Sequence, residues 1–438
     1  MNKPTVMLVN DGFYTDGRQA ASTKGFPGLR LIPETVPCEC SVMEDAEEGI
    51  NQVIDQIIDA LRKPLTSDEA SPKTKEKEKP TRVAFKGSLE EVNRFYYKRG
   101  WSDGLPVIPP TEENVKEMLS GTDLPPDHIL GMIEPRLGKA TVEKVAVNAV
   151  MAGALPVHMP VLIASVKAML DPDSWFGTYS MSTGSWAPCW IINGPIRKEV
   201  HVNSGSGALS PGNIANAAIG RAMGLVIKNI GGIRKGIEDM GVLGNPAKYS
   251  MVIAENEEDS PWEPFHVSEG FAGGESAVTL FYPNSYSQVW PYGSDDRGIL
   301  NALIYNLQPA RGGLFCWIVT PQHAKVMAKK GWTKEMIKKY IAEFGRVPAY
   351  RHAYYYQTNT AIAKPGTVPM NPMDPMAIIH NPAFIKILVA GGPGAFMGLV
   401  SSASIGGTSW VTKKIELPCN WDKLVNKYKN VVPVYERY

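Results

Sequence analysis

The segment "NSGSGALSPGNIANAAIGRAMGL" places a glycine- and serine-rich loop directly before a predicted helix. Free backbone N–H groups at a helix N-terminus, beside residues small enough to let a ligand approach, can bind an anion. The segment predicts either a site for the carboxylate or phosphate of a small substrate or a surface loop before a buried helix. The substrate-binding residues predicted here are Ser204, Gly205, Ser206, Gly207, Asn216 and Arg221.

A second segment, "AENEEDSPWEPFHVSEGF", carries acidic, amide and imidazole groups just after a predicted strand. Polar residues at strand ends are where α/β folds place binding sites. Glu255 and His266 are therefore candidates for general acid/base catalysis, with Asn256 contacting the substrate. The alternative is structural: Glu255 caps a turn and His266 satisfies a buried carbonyl.

Two glycine-containing turns complete the candidate sites. In "RGWSDGLPVIPP", the turn can bring Trp101 and a catalytic Asp103 into a pocket, or it can form a rigid corner. In "FIKILVAGGPGAFMGLVSS", a buried strand runs into Gly391 and Gly392. These glycines can hold a ligand near backbone amides or can simply form a tight turn under a close neighbour.

The histidines and cysteines do not follow metal-site spacings. The seven histidines lie far apart, and no HxxxH, HExxH or CxxC occurs, so we expect no zinc or iron site, and no cofactor is evident. Cys38 and Cys40 precede a predicted helix whose N-terminus can lower a thiol pKa; they are either redox-active or ordinary loop cysteines. Cys189 and Cys316 lie in apolar strands and are expected in the core.

Composition narrows the class of protein. A chain of 438 residues can hold two or three domains, and its net charge of +1 gives no support to nucleic-acid binding. No segment approaches the roughly 18 apolar residues of a membrane span, and the N-terminus lacks a signal-peptide core. An odd number of cysteines, five, does not suggest a disulfide framework. We therefore expect a cytoplasmic protein that binds neither membranes nor nucleic acid.

The first 63 residues predict an incomplete α/β unit. Two short apolar strands, 5–9 and 29–33, precede one amphipathic helix in "EEGINQVIDQIIDALRK". This is half of a doubly wound, Rossmann-like unit, too small to cover its own sheet. Residues 64–86 are rich in charge and proline and predict a flexible linker.

Residues 87–438 predict a larger mixed α/β domain. Helices are expected to begin after the capping residues Ser88, Thr111 and Thr141. Further helices are predicted near 212–228 and 333–344. Strands are predicted at 188–193, 248–254, 277–282, 314–319 and 384–390. Alternating strands and helices are typical of α/β folds.

The first 65 residues resemble the C-terminal half of the UGSC-type (seleno)protein domain, through "KPTVMLVNDGF", "LRLIPETVP" and the helix that follows. That domain is similar to the selenocysteine subunit of protein B in glycine and betaine reductases. In those families a redox motif precedes these elements, whereas this chain contains no Cys-Gly-Ser-Cys.

Residues from about 88 onward resemble a bacterial family often found beside or fused to UGSC domains. The matching stretches are "GWSDGLPVIPPT", "TVEKVAVNAVMAGALPVHMPV", "NGP", "NSGSGALSPGNIANAAIGRA", "ENEEDSPWEPFHVSEGF" and "VAGGPG". Asn148 and Asn193 lie in two of them and are predicted to bind substrate. The family favours Cys at the position where this chain has Ala154. If that Cys has a role in the family, this chain has lost it or moved it to another residue.

The resemblances imply a hetero-oligomeric enzyme. A small partner subunit would carry the Cys/Sec-Gly-Ser-Cys-type motif, and its thiol or selenol would reductively cleave a C–S or C–N bond in a small anionic substrate. One alternative is a non-redox lyase, hydratase or hydrolase that uses the same nucleophile. The other is a non-catalytic scaffold or binding subunit.

Overall fold

The computed structural model describes residues 3–37, 43–72, 81–291, 295–307, 313–352, 355, 368–403 and 410–432. The chain forms a mixed α/β structure in which two four-stranded sheets pack face to face. The described strands are β1 Val6–Asn10, β2 Arg30–Glu34, β3 Ile129–Ile133, β4 Gly138–Thr141, β5 Cys189–Asn193, β6 Val252–Ala254, β7 Ala277–Phe281, β8 Ser285–Val289, β9 Gly313–Val319, β10 Arg346–Pro348, β11 Pro375–Ala377, β12 Ile385–Val389, β13 Met397–Ala403 and β14 Val411–Lys414.

Helices flank both sheets. The described helices are α1 Tyr14–Thr23, α2 Met43–Asn51, α3 Ile54–Arg62, α4 Ser67–Ala70, α5 Leu89–Lys98, α6 Glu112–Leu119, α7 Val142–Ala152, α8 Met159–Met169, α9 Phe176–Met181, α10 Ile196–Glu199, α11 Ile214–Asn229, α12 Phe265–Ser268, α13 Asp296–Tyr305, α14 Pro321–Lys329, α15 Lys334–Phe344 and α16 Trp421–Tyr428. As predicted, Ser88, Thr111 and Thr141 each accept a hydrogen bond from an N–H of the first turn.

The part of the chain from residue 87 onward, called the main body here, has four layers because the strands of its two large sheets are apolar on both faces. The first sheet has the order β14-β7-β5-β6 and the second the order β12-β9-β13-β8. Ile191 of β5 and Cys316 of β9 belong to the core between the sheets. Trp190 faces away from it, toward the core with α7, α8 and α11, whereas Trp317 faces the core with α13, α14 and α15. Successive residues of one strand therefore enter different cores.

The parallel strand pairs bring four strand ends to one edge. β5 runs parallel to β6, and β9 runs parallel to β12. Just past β6, Asn256 N–H donates to the carbonyl of Val389 at the end of β12 at 2.7 Å. The carboxyl ends of both parallel pairs thus lie together, which is where α/β proteins place their sites.

The N-terminal unit, residues 3–37 and 43–72, is small. β1 and β2 form a parallel two-stranded sheet. The amphipathic segment predicted as one helix is divided into α2 and α3, because the chain turns at Gln52 and Val53. Part of the predicted linker also differs from expectation: α4 is helical, and its Glu69 pairs bidentately with Arg30 at 2.8 Å.

Most predicted elements of the main body are confirmed, including the strands at β5, β7, β9 and β12 and the helices α11 and α15. The predicted strand at 248–254 is shorter, because Pro246–Lys248 forms a helical turn and only Val252–Ala254 pairs with β5. None of the helices in the described part of the chain combines the length and apolar content needed to cross a membrane.

The burial of His158 in the main body can be tested through the pH dependence of stability. It is buried beside α8, accepts a hydrogen bond from Leu155 N–H at 3.1 Å, and burial lowers its pKa to about 3. The unfolded chain therefore binds a proton below about pH 6.5 that the folded chain does not bind, so stability falls as the pH drops from 6.5 toward 3. We expect His158→Asn to remove up to about 1.4 kcal/mol per pH unit of this slope in urea unfolding.

The control for this prediction is His128→Asn, because His128 is exposed. Equal slopes for wild type and His158→Asn between pH 7.5 and 5 would contradict a neutral His158 in the fold.

Candidate functional site

The strand-end cluster consists of Asn193, Glu255, Glu257, His266 and Lys334. Glu255 follows β6 and is fully buried. Its Oε1 lies 3.0 Å from Lys334 Nζ, and its Oε2 accepts from Asn193 Nδ2 at 2.7 Å and from Phe265 N–H at 2.5 Å. Both carboxylate oxygens are thus occupied by protein donors. Glu255 holds the start of α12, in agreement with the structural alternative for this residue.

Glu257 organises the other side of the strand-end cluster. Its Oε1 accepts from Gly194 N–H at 2.7 Å and from Asn193 Nδ2 at 3.1 Å, and it lies 3.1 Å from Arg197 Nε. Arg197 also forms a bidentate pair with Glu258, and these bonds, which outweigh desolvation of the carboxyl, lower the pKa of Glu258 to about 2. The charges of this cluster are therefore largely balanced.

His266 is the exception within the strand-end cluster. It is fully buried, its Nδ1 lies 3.9 Å from Glu257 Oε1, and neither ring nitrogen makes a hydrogen bond. Asn193 Oδ1 is also buried without a partner. The structural alternative, in which His266 satisfies a buried carbonyl, is not observed. A buried polar atom without a hydrogen-bond partner costs free energy of folding. The ring nitrogens of His266 and the Oδ1 of Asn193 are therefore the atoms of this cluster that can still bind water, a proton or a small polar group.

The glycine- and serine-rich loop and the glycine turn lie against each other at the same edge. Gly391 N–H donates to Ser204 O at 2.9 Å, and a Cβ on Gly392 would lie 1.9 Å from Ser206 Oγ. Asn203 Oδ1 accepts from Gly205 N–H at 2.9 Å. The amide of Gly391 therefore already has a partner within the protein, and Gly392 is required for the close approach to Ser206.

Asn216 ties this loop to the sheet and does not face a pocket. Its Oδ1 accepts from Asn203 N–H at 2.8 Å, and its Nδ2 donates to carbonyls that include Val252 at 3.1 Å. Arg221 lies five residues further along α11, a rotation of about 140° on a helix of 3.6 residues per turn. Arg221 and the loop therefore face different directions and do not form the single anion site expected from the sequence.

Arg221 instead pairs with Asp103. Its Nε and Nη2 donate to the two carboxylate oxygens at 2.8 and 3.0 Å, and Nη2 also donates to Pro106 O at 2.7 Å. Burial opposes ionisation of Asp103, but the guanidinium outweighs it and lowers the pKa of this carboxyl. Asp103 is thus held as a carboxylate that anchors the turn to α11.

This pair lines a cavity of about 740 Å³, the lysine-lined pocket. Its walls come from the turn around Asp103, from α9, from the last turns of α11 and from the segment between α11 and β6. Its lining includes Tyr179, Trp186, Lys228 and Lys235. A cavity of this size with an apolar wall and a few polar groups is suited to a small organic ligand.

Three other predicted binding residues have structural contacts. Trp101 packs edge-to-face on Phe95 and Tyr96, with ring centroids 5.6 and 5.4 Å away. Asn148 is buried and accepts from Asn229 Nδ2 at 2.8 Å, joining α7 to α11. Asn256 forms a turn with Asp259 through two hydrogen bonds.

The cysteines of the described residues are not activated nucleophiles. Cys189 and Cys316 are buried in the core between the sheets, as predicted, and burial raises the pKa of Cys316 to about 12. Cys38 and Cys40 lie outside the described residues. Among the described residues, no group of three or more His, Cys, Asp or Glu side chains is arranged to hold a metal ion.

Sequence reasoning missed several polar residues of these sites. Lys334 looked like an ordinary helix lysine, and Arg197 and Glu257 carried no motif. Thr320, at the end of β9, makes a 2.6 Å hydrogen bond to His323 Nδ1 and lies next to Gly391. The order Thr-Pro-x-His directly after an apolar strand is the signal that could have revealed this pair.

In comparisons with known proteins, no protein-family model, curated protein or solved structure matches the chain.

The buried Glu255–Lys334 pair predicts strong coupling. Glu255→Gln and Lys334→Met each leave one buried charge without its partner, so each should lower the free energy of unfolding by about 3–5 kcal/mol. The double variant should lose much less than the sum of the two. Urea unfolding of the four proteins measures the coupling, and additive losses would contradict a direct pair.

Proposed function

We propose that this chain is the large, substrate-binding subunit of a hetero-oligomeric enzyme whose nucleophilic thiol or selenol belongs to a small partner subunit. The observation that carries the proposal is the incompleteness of the N-terminal unit. Parallel sheets occur almost only with both faces covered, and this one has two strands.

Both faces of the small sheet remain partly open at β1, whereas Leu31 and Ile32 of β2 are buried. Met7 and Leu8 are neighbours in β1 and point to opposite faces, and they are 49% and 40% exposed. On α3, Ile54, Ile58 and Leu61 are each at least 38% exposed. Within the described residues, the outer edges of β1 and β2 also have no neighbouring strand. A partner that adds strands and helices would satisfy these groups.

The N-terminal unit lies close to the lysine-lined pocket. Lys24, directly after α1, lies 3.2 Å from Glu134, which lines a second cavity of about 910 Å³. Phe176 lines both this cavity and the lysine-lined pocket. A small subunit seated on the N-terminal unit would therefore be near the ligand, and its reactive group would not need to cross the body of the protein.

In the proposed reaction the partner supplies the nucleophile, and this chain binds the substrate. The partner's chalcogenolate attacks the carbon that bears nitrogen or sulfur, and the leaving group departs with the bonding electrons and gains a proton. A second thiol of the partner then attacks the chalcogen, which releases the reduced carbon with its electron pair to take a proton. An external dithiol reduces the resulting S–S or Se–S bond, while this chain binds and orients the substrate.

The test is assembly with a small subunit that carries a Cys/Sec-Gly-Ser-Cys motif. We expect the two chains to co-elute and hydrogen exchange to slow at β1 and α3 on assembly. Leu8→Asp and Ile58→Asp should each weaken the complex by about 2 kcal/mol or more, roughly thirtyfold in Kd, because each places a charge in an apolar contact.

The matched control is Leu89→Asp, because Leu89 is 62% exposed on α5, outside the N-terminal unit. An isolated chain whose β1 amides are already fully protected, or a complex equally weakened by all three substitutions, would overturn the proposal.

A further inference from the structure

The lysine-lined pocket has an aromatic wall. Tyr179 stacks on Tyr282 with ring centroids 4.9 Å apart and meets Trp186 edge-to-face at 5.4 Å. These three side chains belong to the hydrophobic core beside α7, α8 and α11, and all three line the pocket. A flat aromatic surface favours a planar ring in the ligand, through offset or edge-to-face contact.

The polar lining of the same pocket is basic. Its two acidic side chains are already paired, Asp103 with Arg221 and Asp239 with Lys248 at 2.6 Å. The other three basic side chains of the lining, Lys98, Lys228 and Lys235, have no carboxylate within 4 Å among the described residues. The pocket therefore has an excess of positive charge that an anionic ligand can balance.

One basic group of the lining is held in a fixed position. Lys228 lines the pocket, and its Nζ is bound by the carbonyls of Gly100, at 2.6 Å, and Ser102, which fix its position without neutralising it. A fixed ammonium is suited to a carboxylate. The hydroxyl of Tyr282 is buried and interacts with the side chain of Ser174, so this residue contributes only its ring to the pocket.

We propose that this pocket binds an aromatic carboxylate, with its ring on the wall formed by Tyr179, Trp186 and Tyr282 and its carboxylate toward Lys228 and Lys235. This rests on the proposed function only in taking the pocket as the substrate site. It narrows the substrate from a small anion to a planar aromatic acid.

Binding to the full chain, without a partner, tests the two halves of the inference separately. In calorimetric titrations we expect 2-naphthoate to bind about tenfold or more tightly than 2-naphthamide, which lacks the charge, and than decahydro-2-naphthoate, which lacks the planar ring. Affinity for 2-naphthoate should fall as salt rises from 20 to 500 mM. Equal binding of the amide would overturn the carboxylate, and equal binding of the saturated acid would overturn the aromatic ring.

Variants locate the ligand. Lys228→Gln removes the fixed ammonium, so it should weaken 2-naphthoate about three- to tenfold and 2-naphthamide much less. Lys235→Gln should also weaken the acid about threefold, whereas Lys116→Gln, with an exposed lysine outside the pocket, should not. Absence of 2-naphthoate binding at millimolar concentration, or equal effects of Lys235→Gln and Lys116→Gln, would refute this site. Failure here would leave assembly with the small subunit intact, and failure of assembly would leave binding intact.

Discussion

The buried contact between Glu255 and Lys334 joins the two halves of the main body. Glu255 follows β6 in the first sheet, whereas Lys334 begins α15 in the helical layer over the second sheet. Neither charge can stay buried without the other at acceptable cost, so the pair restricts how the two sheets can be placed. The 2.7 Å bond from Asn256 to Val389 acts in the same place. Together they bring the ends of β6 and β12 to one edge.

This arrangement separates a closed polar cluster from an open pocket. At the strand ends, carboxylates and cations satisfy one another, and His266 and Asn193 retain the unused polar atoms. Helix α11 connects this edge to the lysine-lined pocket: Asn216 lies at its start and Lys228 near its end, about 18 Å away at 1.5 Å per residue. The helix therefore contributes residues to both regions.

The N-terminal unit is stabilised differently from the main body. Its helices and two strands bury few side chains, so it depends on local contacts such as the Arg30–Glu69 pair. Leu31 and Ile32 of β2 are buried, whereas Met7 and Leu8 of β1 stay exposed, so the unit covers only part of its own sheet. Because the N-terminal unit lies beside the cavities, a partner bound to it would be close to the ligand in the proposed enzyme.

The sequence by itself determined the local elements. Ser88, Thr111 and Thr141 predicted helix starts because a side-chain cap needs only neighbouring residues, and the runs around Trp190 and Trp317 predicted strands because they are apolar on both faces. The sequence also placed Asp103, Arg221, Glu255 and His266 among the polar groups of interest. Only the tertiary structure decided their partners. Arg221 meets Asp103 across 118 residues, and Glu255 meets Lys334 across 79. Such contacts depend on how sheets and helices pack, and no local pattern of residues records that packing.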